Sequence, residues 1–204
     1  MKGLIGNDAM KRARREEVLA ARSERGEREI DRAGEALARV VADLPAVRRA
    51  RCVAAYVSRQ GEPSTQRLLE VLVGRGVRIL LPIVGRERKL TQGWAEYAGA
   101  ADLVEPMPGR PLEPSGPDLG AAEVATADVV LLPALAVDTA GTRLGYGGGW
   151  YDRALRFVRT GTPLIALVYE DEVLDDERAP LPCDPHDRPV GSAATPRGWI
   201  ELGR

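Results

Sequence analysis

The sequence is poor in residues that staple a chain or ligate a metal. Of its 204 residues two are cysteine and one is histidine. Cys52 and Cys183 are far apart and neither lies in a C-x-x-C pair, which excludes a disulfide framework and, with one His, a zinc site. Long apolar runs are missing too. The longest, Val129–Leu132 and Leu164–Tyr169, fall far short of the roughly 20 residues that span a bilayer. The first 18 residues carry charge without an apolar h-region, which speaks against secretion. Two thiols without a secretory signal suit a reducing cytoplasm. A dominant charge is also lacking: 29 basic residues face 30 acidic ones, for a net −1. That is not the footprint of a nucleic-acid-binding protein. The first 51 residues are mildly basic, but acidic residues interleave throughout, as on a solvated helix face. If this arginine-rich stretch did contact RNA or DNA, binding would fall steeply with salt.

What is present suffices for one folded domain over residues 1–204. The chain is 44% hydrophobic, enough to exclude wholesale disorder and to build a core without staples. A charged helix is expected from about Ala9 to Ser23. Ile30, Ala33, Leu37, Val40, Val41 and Leu44 recur at helical spacing until Pro45. Cys52–Val57 reads as a buried strand, Ser64 as the cap of a helix reaching Val73, and Val77–Pro82 as a second strand. The crossover between these strands is long enough for a parallel pair. Further strands are expected around Leu90–Trp94, at Asp128–Pro133 and Pro163–Tyr169, and near Val190–Thr195 and Trp199–Leu202, with a helix at Trp150–Val158. The alternation predicts an α/β fold: an open, mostly parallel sheet with helices on both faces, in three αβα layers. The N-terminal helices, residues 1–45, would pack on it. No dimer helix or exposed strand stands out, so a monomer is the default.

In such sheets ligands bind beyond the carboxyl ends of the strands. Three unusual loops fall there: 58–64, the long segment after Leu132, and 169–174. The dominant feature is DTAGTRLGYGGGWYDRAL, Asp138 to Leu155. Gly141, Gly145, Gly147, Gly148 and Gly149 would let backbone N–H groups approach an anion at a helix start. Arg143 and Arg153 can grip phosphate oxygens, and Asp138 and Asp152 can hold a hard cation. Taken alone, the glycines fit a plain flexible turn better. The segment is neither a Walker A loop nor a dinucleotide fingerprint: no Gly-Lys-Ser/Thr follows, and Trp150 stands at the sixth position counted from Gly145.

The full string PALAVDTAGTRLGYGGGWYDRAL resembles the signature of the 5-formyltetrahydrofolate cyclo-ligase family. Asp138, Gly141, Arg143, Leu144, Gly145, Gly147, Gly149, Tyr151, Asp152 and Arg153 fall in place, with Trp150 where Tyr is usual. The resemblance extends to Lys11 and Arg15 one helical turn apart, to Gly61-Glu62, to Pro185-His186-Asp187 and to Thr195-Pro196. Glu172 and Gly191 depart from the pattern, where Gln and Asp are usual.

The resemblance implies conversion of 5-formyltetrahydrofolate to 5,10-methenyltetrahydrofolate with Mg2+ and ATP, releasing ADP and phosphate. It implies that Lys11, Arg15, Arg143, Arg153 and the backbone from Gly145 through Tyr146, Gly147 and Gly148 to Gly149 hold ATP. Asp152 and Asp138 would hold magnesium. Glu62, Trp150 and Tyr151 would meet the folate, and Arg143 would neutralise charge during transfer. No general base is implied.

Each residue also has a plainer reading. Lys11 and Arg15 fit a solvated face, and Glu62 fits a surface turn. Asp152 fits a first-turn helix acid, and the aromatics fit core under the loop. The lone His186, among prolines, fits a loop position as well as an acid–base one; no G-x-S-x-G elbow accompanies it. Two other functions stay open on the residues alone: a non-catalytic nucleotide- or phosphate-binding module, and a sugar-phosphate isomerase-like enzyme that works without ATP.

Overall fold

The computed structural model describes residues 2–84, 92–184 and 187–203, with side chains from residue 7 onward. Pro185, His186 and Leu90, the first residue of one predicted strand, lie outside the described residues. In chain order the elements are α1 (Lys2–Ser23), α2 (Glu27–Asp43), α3 (Pro45–Arg49), β1 (Cys52–Ala54), α4 (Gln66–Gly74), β2 (Arg78–Ile83), β3 (Gly93–Glu96), β4 (Leu103–Val104), β5 (Glu113–Pro114), β6 (Val129–Pro133), β7 (Ala136–Asp138), β8 (Arg143–Leu144), α5 (Trp150–Ala154), β9 (Leu164–Leu167), β10 (Val173–Leu174), β11 (Ser192–Thr195) and β12 (Gly198–Glu201). Short 3-10 turns occupy Ala121–Thr126, Leu155–Phe157 and Glu170–Glu172 among other positions.

Among the described residues the central sheet has seven strands in the order β12-β11-β9-β6-β1-β2-β3. The inner pairs are parallel, and the edge strands β3 and β12 run antiparallel to their neighbours. The predicted mostly parallel α/β sheet is therefore the observed one. Its strands are continuous apolar runs because both faces are covered. Val53, Ile79, Leu81, Val129, Leu131, Ile165 and Leu167 point to the face carrying α2 and α4. Cys52, Ala54, Leu80, Val130, Leu132 and Ala166 point to the other, covered by α5 and the 3-10 turns on either side of it in the sequence. The second helical layer is thus thinner than the first.

Local chemistry explains where the sequence pattern was misleading. Pro45 ends α2 but also begins α3, since proline suits a first helical turn. Ser64 does not cap α4. Thr65 occupies that position, and its hydroxyl donates to the Tyr56 carbonyl (2.8 Å) and accepts the Ser58 N–H (2.9 Å). The Thr65 N–H returns to Ser58 Oγ (3.1 Å), so the loop after β1 is tied across its neck. The predicted helix at Trp150 is one α-helical turn followed by a 3-10 turn. The glycine-rich segment, read as loop, holds the β7–β8 hairpin, and β7 also pairs with β10 in a small second sheet.

The N-terminal helices divide. α2 lies on the sheet against α4 and β11. α1 departs from the expectation of packing on the sheet: Lys11, Arg15 and Arg22 reach the loops beyond the strands' carboxyl ends, and Val18 packs against Leu135, Ala136, Leu144 and Leu181. Among the described residues no helix is long and apolar enough to cross a membrane.

Candidate active site

β1 connects to β2 on one side, while β6 lies on its other side. The crevice beyond β1 and β6 is therefore the topological switch point, where open sheets of this type bind ligands. The loop after β1 carries Glu62, the segment after β6 carries the glycines, and the turn after β9 carries Glu172. α1 closes over all three.

Glu62 is buried, at 2% exposure. Its Oε2 accepts the Arg59 N–H at 2.7 Å. Burial pushes its pKa above the usual carboxylate range, opposed by the Tyr146 hydroxyl, the Arg59 N–H and the Arg22 charge. A solvated surface carboxylate is thus excluded. Around it stand three tyrosines. Burial and the Glu62 charge raise the pKa values of Tyr56, Tyr146 and Tyr151, so all three are neutral donors near neutral pH. The Tyr56 hydroxyl and Trp150 Nε1 are buried with no hydrogen-bond partner, and such groups call for a ligand or water. Trp94 packs edge-on to Trp150 (5.2 Å between centroids), and Trp150 to Tyr151 (4.9 Å), forming an aromatic wall. Trp199, by contrast, lies 43% exposed on an edge strand.

Sequence reasoning missed Arg22. Buried to 3% exposure, its guanidinium forks onto Glu172, Nε to Oε1 at 2.7 Å and Nη2 to Oε2 at 2.8 Å. Nη2 also donates to the Ala134 carbonyl (2.7 Å) and Nη1 to the Tyr146 hydroxyl (2.9 Å). One side chain of α1 therefore joins the loops after β6 and β9 to the glycine segment. Burial works against its charge, but Glu172 outweighs burial and the pKa lies above the ordinary arginine value. The sequence held one signal, the charged Glu172 in place of Gln. The partner 150 positions away leaves no local pattern.

In the glycine segment, Gly141 has φ +92°, and a Cβ there would come 2.6 Å from the Val190 carbonyl. Gly141 and Val190 are also joined by a backbone hydrogen bond of 2.9 Å. Gly147 has φ +94°, and a Cβ there would meet the Arg15 guanidinium at 3.4 Å. Arg15 Nε donates to the Gly145 carbonyl (2.8 Å), so the sequence-predicted arginine does lie against the loop. Among the described residues the N–H groups of Gly145 through Gly149 donate no hydrogen bond. Successive N–H groups without a protein partner are open to water or to an anion. With α5 only one turn long, a helix dipole adds little there. Arg143 Nη2 pairs with Asp152 Oδ1 at 2.7 Å, and Arg153 Nη2 leans back on the Gly148 carbonyl at 3.3 Å.

Two predicted ligands are otherwise engaged. Lys11 Nζ pairs with Asp184 (2.7 Å) and Asp187 (2.9 Å). Burial lowers its pKa, but the two aspartates more than restore it, so it is fully charged. Asp138 is buried and serves the hairpin: Oδ1 accepts the Thr142 N–H (2.7 Å) and Oδ2 the Leu181 N–H (3.0 Å). Its two acceptors being used on backbone, the metal-ligand expectation rests on Asp152.

Among the described residues no three His, Cys, Asp or Glu side chains cluster as a metal cage. The donor set still fits magnesium carried by a nucleotide, because such an ion takes one or two carboxylates and completes its shell with phosphates and water. Asp152 beside the unpaired N–H groups offers such a carboxylate.

A match to the 5-formyltetrahydrofolate cyclo-ligase family covers residues 7–196. A 5-formyltetrahydrofolate cyclo-ligase of Mycolicibacterium smegmatis is 38% identical over 156 residues, 74% of this chain and 77% of that protein. One from Escherichia coli K12 is 30% identical over 156 residues, 74% and 81% of the two chains. The NMR structure of the Aquifex aeolicus 5,10-methenyltetrahydrofolate synthetase superposes with a TM-score of 0.77 at 26% identity, over 96% of this chain and 94% of that one.

Proposed function

The chain belongs to the 5-formyltetrahydrofolate cyclo-ligase family and is an enzyme; from that premise we propose that it closes 5-formyltetrahydrofolate to 5,10-methenyltetrahydrofolate, splitting ATP to ADP and phosphate. A formyl amide oxygen is a poor leaving group. Its attack on the γ-phosphorus expels ADP and makes it a phosphate ester. N10 then adds to the formyl carbon and gives up its proton to water or to the departing phosphate, the C–O bond breaks, and phosphate leaves. Such transfer needs positioning and charge neutralisation more than covalent help from the protein.

The observation that carries this reading is the juxtaposition of unpaired N–H groups from Gly145 to Gly149 with buried Glu62 across the switch point. The N–H groups, Arg15 and Arg143 would hold the phosphates, with Arg153 beside them. Lys11 would join them by exchanging its aspartates for phosphate oxygens. Asp152 would hold magnesium, which supplies charge neutralisation on the transferring phosphate. Glu62 would accept N–H donors of the reduced pterin against the Trp150–Tyr151 wall. Tyr146 would belong with the folate side, since its hydroxyl accepts from Arg22 and the Glu62 charge raises its pKa. We place the reaction in the cytoplasm, on small-molecule substrates and in a monomer.

The test is parallel measurement of methenyl absorbance and phosphate release from 5-formyltetrahydrofolate, with and without Mg·ATP. Equal rates of both, dependent on nucleotide, support the proposal. ATP binding without folate turnover would leave only a nucleotide-binding module. Turnover of sugar phosphates without nucleotide would favour the isomerase reading.

A further inference from the structure

We propose that Thr65 is the positioning residue for Glu62: its hydroxyl holds the loop after β1 in the form that fixes where the carboxylate stands. The inference rests on the reading of Glu62 as the pterin acceptor, and deepens it by assigning the side chain behind that carboxylate.

Thr65 stands at the N-cap position of α4, yet its side chain makes no bond to that helix. A capping threonine has extended backbone and accepts from the second or third helical N–H. Thr65, at φ −95° and ψ −5°, has already left that form. Its hydroxyl turns back on the chain before it, buried at 1% exposure. There it donates to the Tyr56 carbonyl (2.8 Å) and accepts the Ser58 N–H (2.9 Å). A hydroxyl has a single proton to give, and this one is spent on the loop rather than the helix. The Thr65 N–H adds a third tie, to Ser58 Oγ at 3.1 Å.

The contacts of Glu62 begin where these ties end. Ser58 is held at its N–H and at its hydroxyl, and Arg59 follows it. The Arg59 N–H donates to Glu62 Oε2 (2.7 Å), and the Arg59 carbonyl accepts the Glu62 N–H (3.0 Å). Gly61, at φ +83°, lets the turn between them close. The Arg59 backbone thus sets both the main chain and the carboxylate of Glu62, and Thr65 sets the residue before Arg59. The far side of the loop is braced as well. A Cβ on Gly34 of α2 would lie 2.6 Å from Ser64 Cβ and 2.8 Å from the Ser64 carbonyl oxygen, so the backbone of α2 bears directly on the residue before Thr65. Without the Thr65 hydroxyl the substrate itself would have to order this loop. That cost falls on folate binding and not on the phosphates.

Thr65→Val keeps the shape of the side chain and removes both hydroxyl bonds. We expect KM for 5-formyltetrahydrofolate to rise about tenfold, with KM for ATP within about twofold, and Thr65→Ser to bring the folate KM back to within about threefold of the parent's. Amide hydrogen exchange follows the loop without substrate. The Ser58 and Arg59 N–H groups should exchange about tenfold faster in Thr65→Val, but not in Thr65→Ser, relative to the amides of β6. Ser58→Ala removes only the third tie and serves should Thr65→Val fail to fold; it should raise the folate KM about threefold and quicken exchange at Arg59. An unmoved folate KM, an unmoved Arg59 amide, or an equal rise in KM for ATP would overturn the proposal. Glu62→Gln tests the premise separately. If it leaves the folate KM unchanged, or the unaltered protein shows no turnover, the reading of Glu62 fails instead, and exchange at Arg59 alone decides whether Thr65 holds it.

Discussion

Replacing Arg22 by Met isolates what the buried ion pair contributes to stability. Both partners are nearly inaccessible, at 3% and 4% side-chain exposure, so solvent screening cannot soften the loss. The substitution strands the Glu172 carboxylate with the Tyr169 N–H as its remaining partner, and removes the Ala134 carbonyl's donor. Leaving a buried charge unpaired costs about 3–5 kcal/mol. For a chain of this size that lowers Tm by roughly 6–20 °C. Changing Glu172 to Met as well removes the stranded charge. The double variant should recover most of the loss, retaining a deficit of about 1–3 kcal/mol for the Ala134 and Tyr146 oxygens left without their donor. Urea unfolding of the four proteins at a common m-value gives the coupling energy directly. A single-variant loss under about 1 kcal/mol, or a double variant as unstable as the two singles summed, would refute the view that Glu172 depends on Arg22.

Three further outcomes are expected. Asp152→Asn should reduce turnover at least tenfold and raise the magnesium concentration for half-maximal rate, with thermal stability changed by less than about 1 kcal/mol because the Arg143 contact is only part-buried; unchanged magnesium dependence in a metal titration would remove Asp152 from the site. Gly141→Ala, at φ +92° with a carbonyl 2.6 Å from the new Cβ, should cost about 2 kcal/mol or more, visible as a lower urea midpoint; a midpoint equal to the parent's would show that the hairpin adjusts freely. Lys11→Met should raise KM for ATP about tenfold while leaving KM for folate within twofold, read from initial rates; a rise confined to folate would separate Lys11 from the phosphates.

The layers of the fold were legible because their causes are local. Val129–Leu132 and Leu164–Leu167 are short apolar runs without helical spacing, and they are the central parallel strands β6 and β9. The stripe through Leu37 and Val41 is the face that α2 buries, and Leu44 follows it into the core just past the helix end. The β7–β8 hairpin was illegible because strands of three and two residues carry no readable alternation. The proximity of Arg15 to the glycines followed from the family resemblance, not from spacing. Arg22 was beyond both. It sits among many arginines on a charged helix, and only the folded chain separates the one that enters the interior from those that stay in water. Asp138 shows the converse: a carboxylate next to glycines suggests a metal, yet hairpins also use aspartate to tie their own N–H groups.

The reach of Arg22 across 150 positions also bears on when the enzyme becomes competent during synthesis. A nascent chain that has emerged through the glycine loop already contains every residue proposed above to hold phosphate. It lacks the residue onto which Arg22 forks and the aspartates that hold Lys11, so α1 keeps only its contacts to the segment after β6. Full docking of α1 must therefore wait for translation of the last fifth of the polypeptide, and a ribosome-stalled product ending near residue 160 should leave α1 susceptible to proteolysis.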